Sequence, residues 1–258
     1  MPTLILYLYG LLLGAVIGSF LNVCIHRLPK GESLIRPRSH CPGCKTPILV
    51  RHNIPIVSYI VLRGRCPSCG MSISWQYPLV ECLTAAAGIG SVYAYGFSVQ
   101  ALTLFLFSCM MIVGVGTDVR EKILPDEITL GGTLIGIGLA WAGASVPLLS
   151  ALWGGLTGSL LFLGLLLGYY LLRGHHGMGF GDVKIMALIG VFLGFPKVLS
   201  VVLLGSLLGL IWGLGLILLR QKSFKYALPF GAFLGVAALL ILYLDVLWPG
   251  MVKNAIPF

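Results

Sequence analysis

Acidic side chains are scarce: eight Asp and Glu stand among 258 residues, against seventeen Lys and Arg. Charged residues of both signs make up 10% of the chain, well below the roughly 25% usual in soluble domains. That scarcity, with a mean hydropathy of +0.99, excludes an ordinary water-soluble enzyme. No glycine-rich GxG loop follows a recognisable strand, which removes a Rossmann-type nucleotide site from consideration. The first apolar run lacks a basic n-region and a small-residue cleavage site, so it reads as a retained helix and not a signal peptide. What remains is long apolar runs, several of which reach the roughly 20 residues needed to span a bilayer. The thirty-five glycines fit close packing between membrane helices.

The fold expected is an all-α polytopic membrane protein of about eight transmembrane helices. The spans fall at about 3–23, 78–96, 100–117, 128–144, 148–171, 183–196, 198–219 and 228–248. Three parts follow: a first helix at 1–23, a cysteine-bearing loop at 24–77, and a membrane domain at 78–258. The loop holds eight of the seventeen Lys and Arg, and seven more (Arg120, Lys122, Arg173, Lys184, Arg220, Lys222, Lys225) lie by later loops on the same side. Only Lys197 and Lys253 lie opposite. By the positive-inside rule the loop is cytoplasmic and both termini are outside. The net charge of +9 therefore reports topology and contact with anionic lipid, not nucleic-acid binding.

Four of the seven cysteines form two knuckles, Cys41-Pro-Gly-Cys44 and Cys66-Pro-Ser-Cys69, separated by 21 residues. Paired Cys-x-x-Cys knuckles supply four thiolates at the spacing of a tetrahedral zinc site. Two disulfides are the competing reading, disfavoured in a reducing cytoplasm. A loop of this size has too little core to fold alone, so a metal is a reasonable staple. His40 and His52 could each replace a thiolate, although four cysteines already complete the set. Cys24, Cys82 and Cys109 read as small buried residues.

Among the acids, Glu32, Glu121 and Glu127 belong to polar loops, Asp245 ends the last span, and Asp126 suits a helix N-cap. Asp118 and Asp182 stand apart, each at the cytoplasmic end of a span. Ionisable groups there are costly and mark a functional site by default. Two carboxylates brought together can share a proton and activate water; the plain alternative is a pair of interfacial helix caps. Gly179 and Gly181 would open backbone conformations closed to other residues. Helix polarity would favour charge on Asp182, which begins a helix, over Asp118, which ends one. His175 and His176 sit in the turn before Asp182.

GFGD at 179–182 followed by Val183-Lys184 resembles the GxGDxK signature of the GxGD intramembrane aspartic proteases, and Asp118 in DVREKILPD resembles its partner motif. GSFLNVCIHRLP (18–29), the paired knuckles, NIPIVSYIVLRGRCPSCG (53–70) and YPLVE (77–81) resemble the bacterial type IV prepilin peptidases in order. The resemblance implies a multi-pass protein of the bacterial inner membrane that removes the basic leader of prepilins and pseudopilins. It also implies methylation of the new N-terminal residue from S-adenosylmethionine. Asp118 and Asp182 would then be catalytic, Gly179, Gly181 and Lys184 would support loop and substrate, and Cys41, Cys44, Cys66 and Cys69 would hold zinc. A peptidase without methyl transfer and a membrane transporter or scaffold are the other readings.

Overall fold

A computed structural model describes residues 2–174, 178–219 and 228–247. Among these the protein is helical, without a strand longer than an isolated bridge. The helices are α1 (Pro2–Arg27), α2 (Val57–Val61), α3 (Gln76–Tyr95), α4 (Val99–Glu121), α5 (Asp126–Trp141), α6 (Leu148–Arg173), α7 (Phe180–Leu193), α8 (Phe195–Leu218) and α9 (Phe230–Leu247). Five of them are long and apolar enough to cross a membrane: α1, α4, α6, α8 and α9. The readings placed on His175, His176, Arg220, Lys222, Lys225 and Lys253 lie outside the described residues.

Helix ends follow local chemistry. Gly96 stops α3, and Gly174 stops α6 in the left-handed region at φ 71°. The break between α7 and α8 falls at Gly194, earlier than the hydropathy pattern suggests, because Pro196 starts α8 within its first turn and proline is suited to that position. In turn α4 runs four residues past the expected 117, to Glu121, so that Asp118 occupies its last full turn.

The chain divides into two compact units, Met1–Val113 and Gly114–Phe258. In the first, α1 and α3 pack antiparallel, small residues meeting at each level: Gly10 against Gly88, then Gly14 against Thr84 and Ala85. In the second, α7 is central and packs on α5, α6, α8 and α9. Ten of its fourteen residues are buried. The facing surfaces are an inverse of a soluble core. Along α6 the buried positions include Ala151, Gly154, Gly155 and Gly158, while Leu149, Leu156 and Leu160 face outward. A Cβ on Gly154 would lie 2.2 Å from the Gly190 carbonyl, so helix α6 meets α7 backbone to backbone, as membrane helices with small residues do. At Cys82 the expectation fails: the side chain is exposed on α3, while Cys24 and Cys109 are buried.

Candidate active site and metal centre

Asp118, in the last turn of α4, and Asp182, in the first turn of α7, are both buried in the second unit. Their carboxylates converge on Gly231, in the first turn of α9. A Cβ on Gly231 would lie 3.1 Å from Asp118 Oδ2 and 3.1 Å from Asp182 Oδ1, so at most twice that, 6.2 Å, separates the two oxygens. The Ala232 amide donates to Asp118 Oδ2 at 2.7 Å, and the Gly231 backbone hydrogen-bonds Asp182. Unsatisfied amides at a helix N-terminus are natural partners for carboxylates. The contribution of α9 falls on both aspartates. The start of α9 serves both carboxylates, so the helix polarity that separates them is still that of α7, with Asp182 in its first turn, and α4, with Asp118 in its last.

Leu124 covers the pair. Its Cδ1 would be 2.7 Å from a Cβ on Gly231, and the same side chain lies 3.2 Å from where a Cβ on Gly181 would be. Gly181 is thus needed for space and not for backbone freedom. Gly179 is the α7 N-cap with φ −79° and ψ 146°, a conformation open to any residue, so the conformational reason expected for both glycines does not hold. Asp126 does not cap α5 either: Pro125 is the N-cap, and Asp126 instead pairs with Lys184 Nζ at 2.5 Å. That ion pair ties the loop carrying Leu124 to α7, and the Lys184 ammonium also lies over the Phe180 ring.

Sequence reasoning passed over Gly231 and Ala232. The segment LPFGAF carries no titratable atom, and its donors are backbone amides, so side-chain chemistry gives no signal. Proline followed by glycine at the head of an apolar run is the one available hint.

In the first unit the four cysteine sulfurs lie within 4.8 Å of one another. Cys41 Sγ to Cys69 Sγ is 3.8 Å and Cys44 Sγ to Cys66 Sγ is 4.0 Å. Tetrahedral zinc with bonds of ~2.3 Å sets sulfurs about 3.8 Å apart. The donor set therefore fits zinc, and these separations are too long for disulfides. His40 Nδ1 turns to the Arg38 carbonyl at 3.1 Å, and no histidine joins the cluster among the described residues.

The knuckles repeat one another closely. Cys41 N–H donates to Thr46 and Cys66 N–H to Met71; Lys45 N–H donates to Cys41 and Gly70 N–H to Cys66. Ile48 N–H to Ser39 and Ile73 N–H to Gly64 close each turn. Lys45 and Gly70 hold equivalent left-handed positions at φ 59° and 73°. The Thr46 hydroxyl and amide beside Cys44 bring its thiol down to about 6. Amides of Ser68 and Cys69 lower Cys66 likewise. Despite the Met71 amide, which acts the other way, the surrounding sulfurs push Cys69 up to about 11. Four crowded thiolates need a cation before the last proton leaves.

Residues 105–214 match the type IV leader peptidase family, and residues 12–95 match the bacterial peptidase A24 N-terminal domain. A prepilin leader peptidase/N-methyltransferase of Aeromonas salmonicida is 36% identical, the match covering 92% of this chain and 89% of that one. The chain belongs to the type IV leader peptidase family. Proteins of the same description from Pseudomonas putida and Burkholderia pseudomallei are 34% and 32% identical, covering 92% and 94% of this chain and 88% and 87% of theirs. No solved structure matches the chain. Family membership makes it an enzyme, and both halves of the family, N-terminal domain and peptidase domain, are present in order.

Proposed function

We propose that the protein cleaves the leader from prepilins and pseudopilins with Asp118 and Asp182 as the catalytic pair, and then N-methylates the new N-terminus using S-adenosylmethionine. One observation carries the peptidase reading: two buried carboxylates meet at Gly231, one held by the Ala232 amide. In such a pair the ionised carboxylate takes a proton from water while its protonated partner polarises the scissile carbonyl. Hydroxide adds to the carbonyl carbon, the C–N bond breaks, and the departing amine takes up a proton. Two carboxyls this close share one negative charge because double ionisation is opposed by repulsion and burial. Gly181 would support this site by keeping room for Leu124, Lys184 by fixing the loop that carries Leu124, and Gly179 as the residue from which α7 starts.

The reading places the enzyme in the bacterial inner membrane with eight spans, the site and cysteine loop facing the cytoplasm and both termini outside. The basic residues clustered in the loop favour that orientation. It also divides the chain by role into a first helix (1–23), a metal-holding loop (24–77) and the peptidase membrane domain (78–258). Cys41, Cys44, Cys66 and Cys69 would hold zinc, which supplies a structural cross-link to a loop poor in core.

Purified enzyme, a prepilin substrate and methyl-labelled S-adenosylmethionine test both activities together. Asp118→Asn and Asp182→Asn should each reduce cleavage at least about 100-fold. Processing that persists with both substituted sinks the dyad, and cleavage without label transfer sinks the methyltransferase half.

A further inference from the structure

Glu81 is a buried carboxylate far along the sequence from the aspartates, on α3 of the first unit, and 7% exposed. A charge buried in an apolar seam is expensive unless a cation or several donors compensate it. Glu81 accepts two hydrogen bonds, one at Oε2 from the Ile56 amide at 2.7 Å and one from the Ser19 hydroxyl. Neither neighbour is charged. Among the described residues no Lys, Arg or His lies within ion-pair distance of it. The buried cation of the same unit, Arg27, is engaged by the carbonyls of Ser33 and Pro37.

Asn22 supplies a second, independent sign. It is 3% exposed, and its Oδ1 has no hydrogen-bond partner. The amide orientation is fixed, since Nδ2 donates to two carbonyls, Gly18 at 3.3 Å and Tyr77 at 3.1 Å. Rotating the amide would set oxygen against both. Across the antiparallel α1–α3 seam Gly18 faces Glu81, whose Cα would be 2.7 Å from a Cβ on Gly18, and Asn22 faces Tyr77. Helical side chains lean toward their own N-terminus. Asn22 therefore leans toward the level of Gly18 and Glu81, and Glu81 toward the level of Tyr77 and Asn22. An anionic acceptor held by two neutral donors and an amide oxygen with no donor thus lean toward one level of the seam, with no cation paired to either among the described residues.

We propose that Glu81 and Asn22 form the receiving site for the α-amine in methyl transfer, with Glu81 as the base that deprotonates it. The proposal rests on the methyltransferase half of the reading above. An N-terminal ammonium brings the positive charge and the N–H donors that this pair lacks. The ammonium gives one proton to the Glu81 carboxylate, which frees the nitrogen lone pair. That lone pair forms the N–CH3 bond while the S–CH3 bond of the sulfonium donor breaks, leaving a neutral thioether. The methylated product carries the charge as a secondary ammonium. Entry is past the segment Asn53–Val57, whose residues are partly or fully exposed and whose Ile56 amide is the group now bound to Glu81.

The test uses the full-length enzyme, a processed pilin-type peptide with a free N-terminal amine, and labelled S-adenosylmethionine. Glu81→Gln should lower methyl transfer about 100-fold. Its residual rate should climb about tenfold per pH unit up to the ordinary amine pKa near ~8, because only solution then removes the proton. Asn22→Leu should raise KM for the amine at least tenfold with a much smaller change in kcat. Calorimetry gives a readout free of turnover: the unaltered enzyme should bind the free-amine peptide at least tenfold more tightly than its N-acetyl form, and Glu81→Gln should abolish that preference. Cleavage of prepilin by each preparation reports whether the chain is folded. Glu81→Gln transferring methyl within threefold of the unaltered enzyme, keeping its pH profile, or losing cleavage in parallel overturns this proposal alone. No label transfer by the unaltered enzyme overturns the methyltransferase reading and this proposal with it.

Discussion

Gly231 carries no functional group, yet the two aspartates depend on its lacking one. A methyl there would stand 3.1 Å from both carboxylate oxygens and 2.7 Å from Leu124 Cδ1. Gly231→Ala should therefore reduce cleavage about 100-fold, the cost of an ångström-level displacement in a positioned site, with little loss of the folded protein in detergent. Steady-state cleavage beside a thermal melt checks both; full activity would show that the carboxylates do not work from this geometry. The cysteines give a second expectation, with its sign set by acidity. Cys44 at about 6 is mostly thiolate at neutral pH, and Cys69 at about 11 is mostly thiol. In metal-free enzyme at pH 7, an alkylating agent should label Cys44 at least about tenfold faster than Cys69, even after the lower nucleophilicity of a low-pKa sulfur is allowed for. Protection of Cys44 should appear as pH falls through 6, where its thiolate is lost. Site-resolved mass spectrometry reads both.

Where α6 crosses α7, backbones touch: a Cβ on Gly190 would come within 2.1 Å of the Gly154 carbonyl. Gly190→Ala should cost about 1–3 kcal/mol, as overpacking does in a close-packed interior, and lower the melting temperature in detergent. On the same α6, Gly164 has nothing within 4 Å of where a Cβ would be; Gly164→Ala should leave the melt unchanged or raise it slightly, since alanine favours helix over glycine. Equal effects from the two substitutions would mean that the seam is not the tight contact. The knuckles allow a comparable contrast. Lys45 adopts the left-handed conformation that Gly70 holds in the other knuckle, at a cost of about 1 kcal/mol for a residue with a side chain. Lys45→Gly should slow zinc loss to a chelator, and Gly70→Val should hasten it, as followed by a metal-sensitive dye.

The eight long apolar runs declare eight of the nine α-helices among the described residues, and the motifs around Asp118 and Asp182 single them out from six other acids. What escaped the sequence has physical reasons. Hydropathy cannot see that α7 stops at Gly194, because Phe195 and Val198 continue the apolar pattern on both sides of the break. Nor can it see a site made by backbone amides, as at Ala232, or that Asp126 answers to Lys184, 58 residues away. Glu81 enters the sequence reading only within the YPLVE motif, because nothing around it in sequence is charged, and that isolation is what sets it apart in the fold. The cysteine cluster and Glu81 lie in Met1–Val113, the aspartates in Gly114–Phe258. Asp118→Asn should therefore block cleavage yet leave methylation of an already processed pilin within about threefold of normal, each unit carrying its own carboxylates. Loss of both activities would tie the two units into one catalytic centre.

The duplicated hydrogen-bond pattern of the knuckles reaches beyond their symmetry. Each closes within ten residues, 39–48 and 64–73, so each is a local claw with two sulfurs that does not wait for the other to form. Metal capture would then be a chelation step joining two bidentate halves, with the chain between them raising the effective concentration of the second half. A ten-residue peptide of either segment should bind zinc or cobalt as a complex of two peptides to one metal. The intact loop should hold the same ion far more tightly, with no new ligand added.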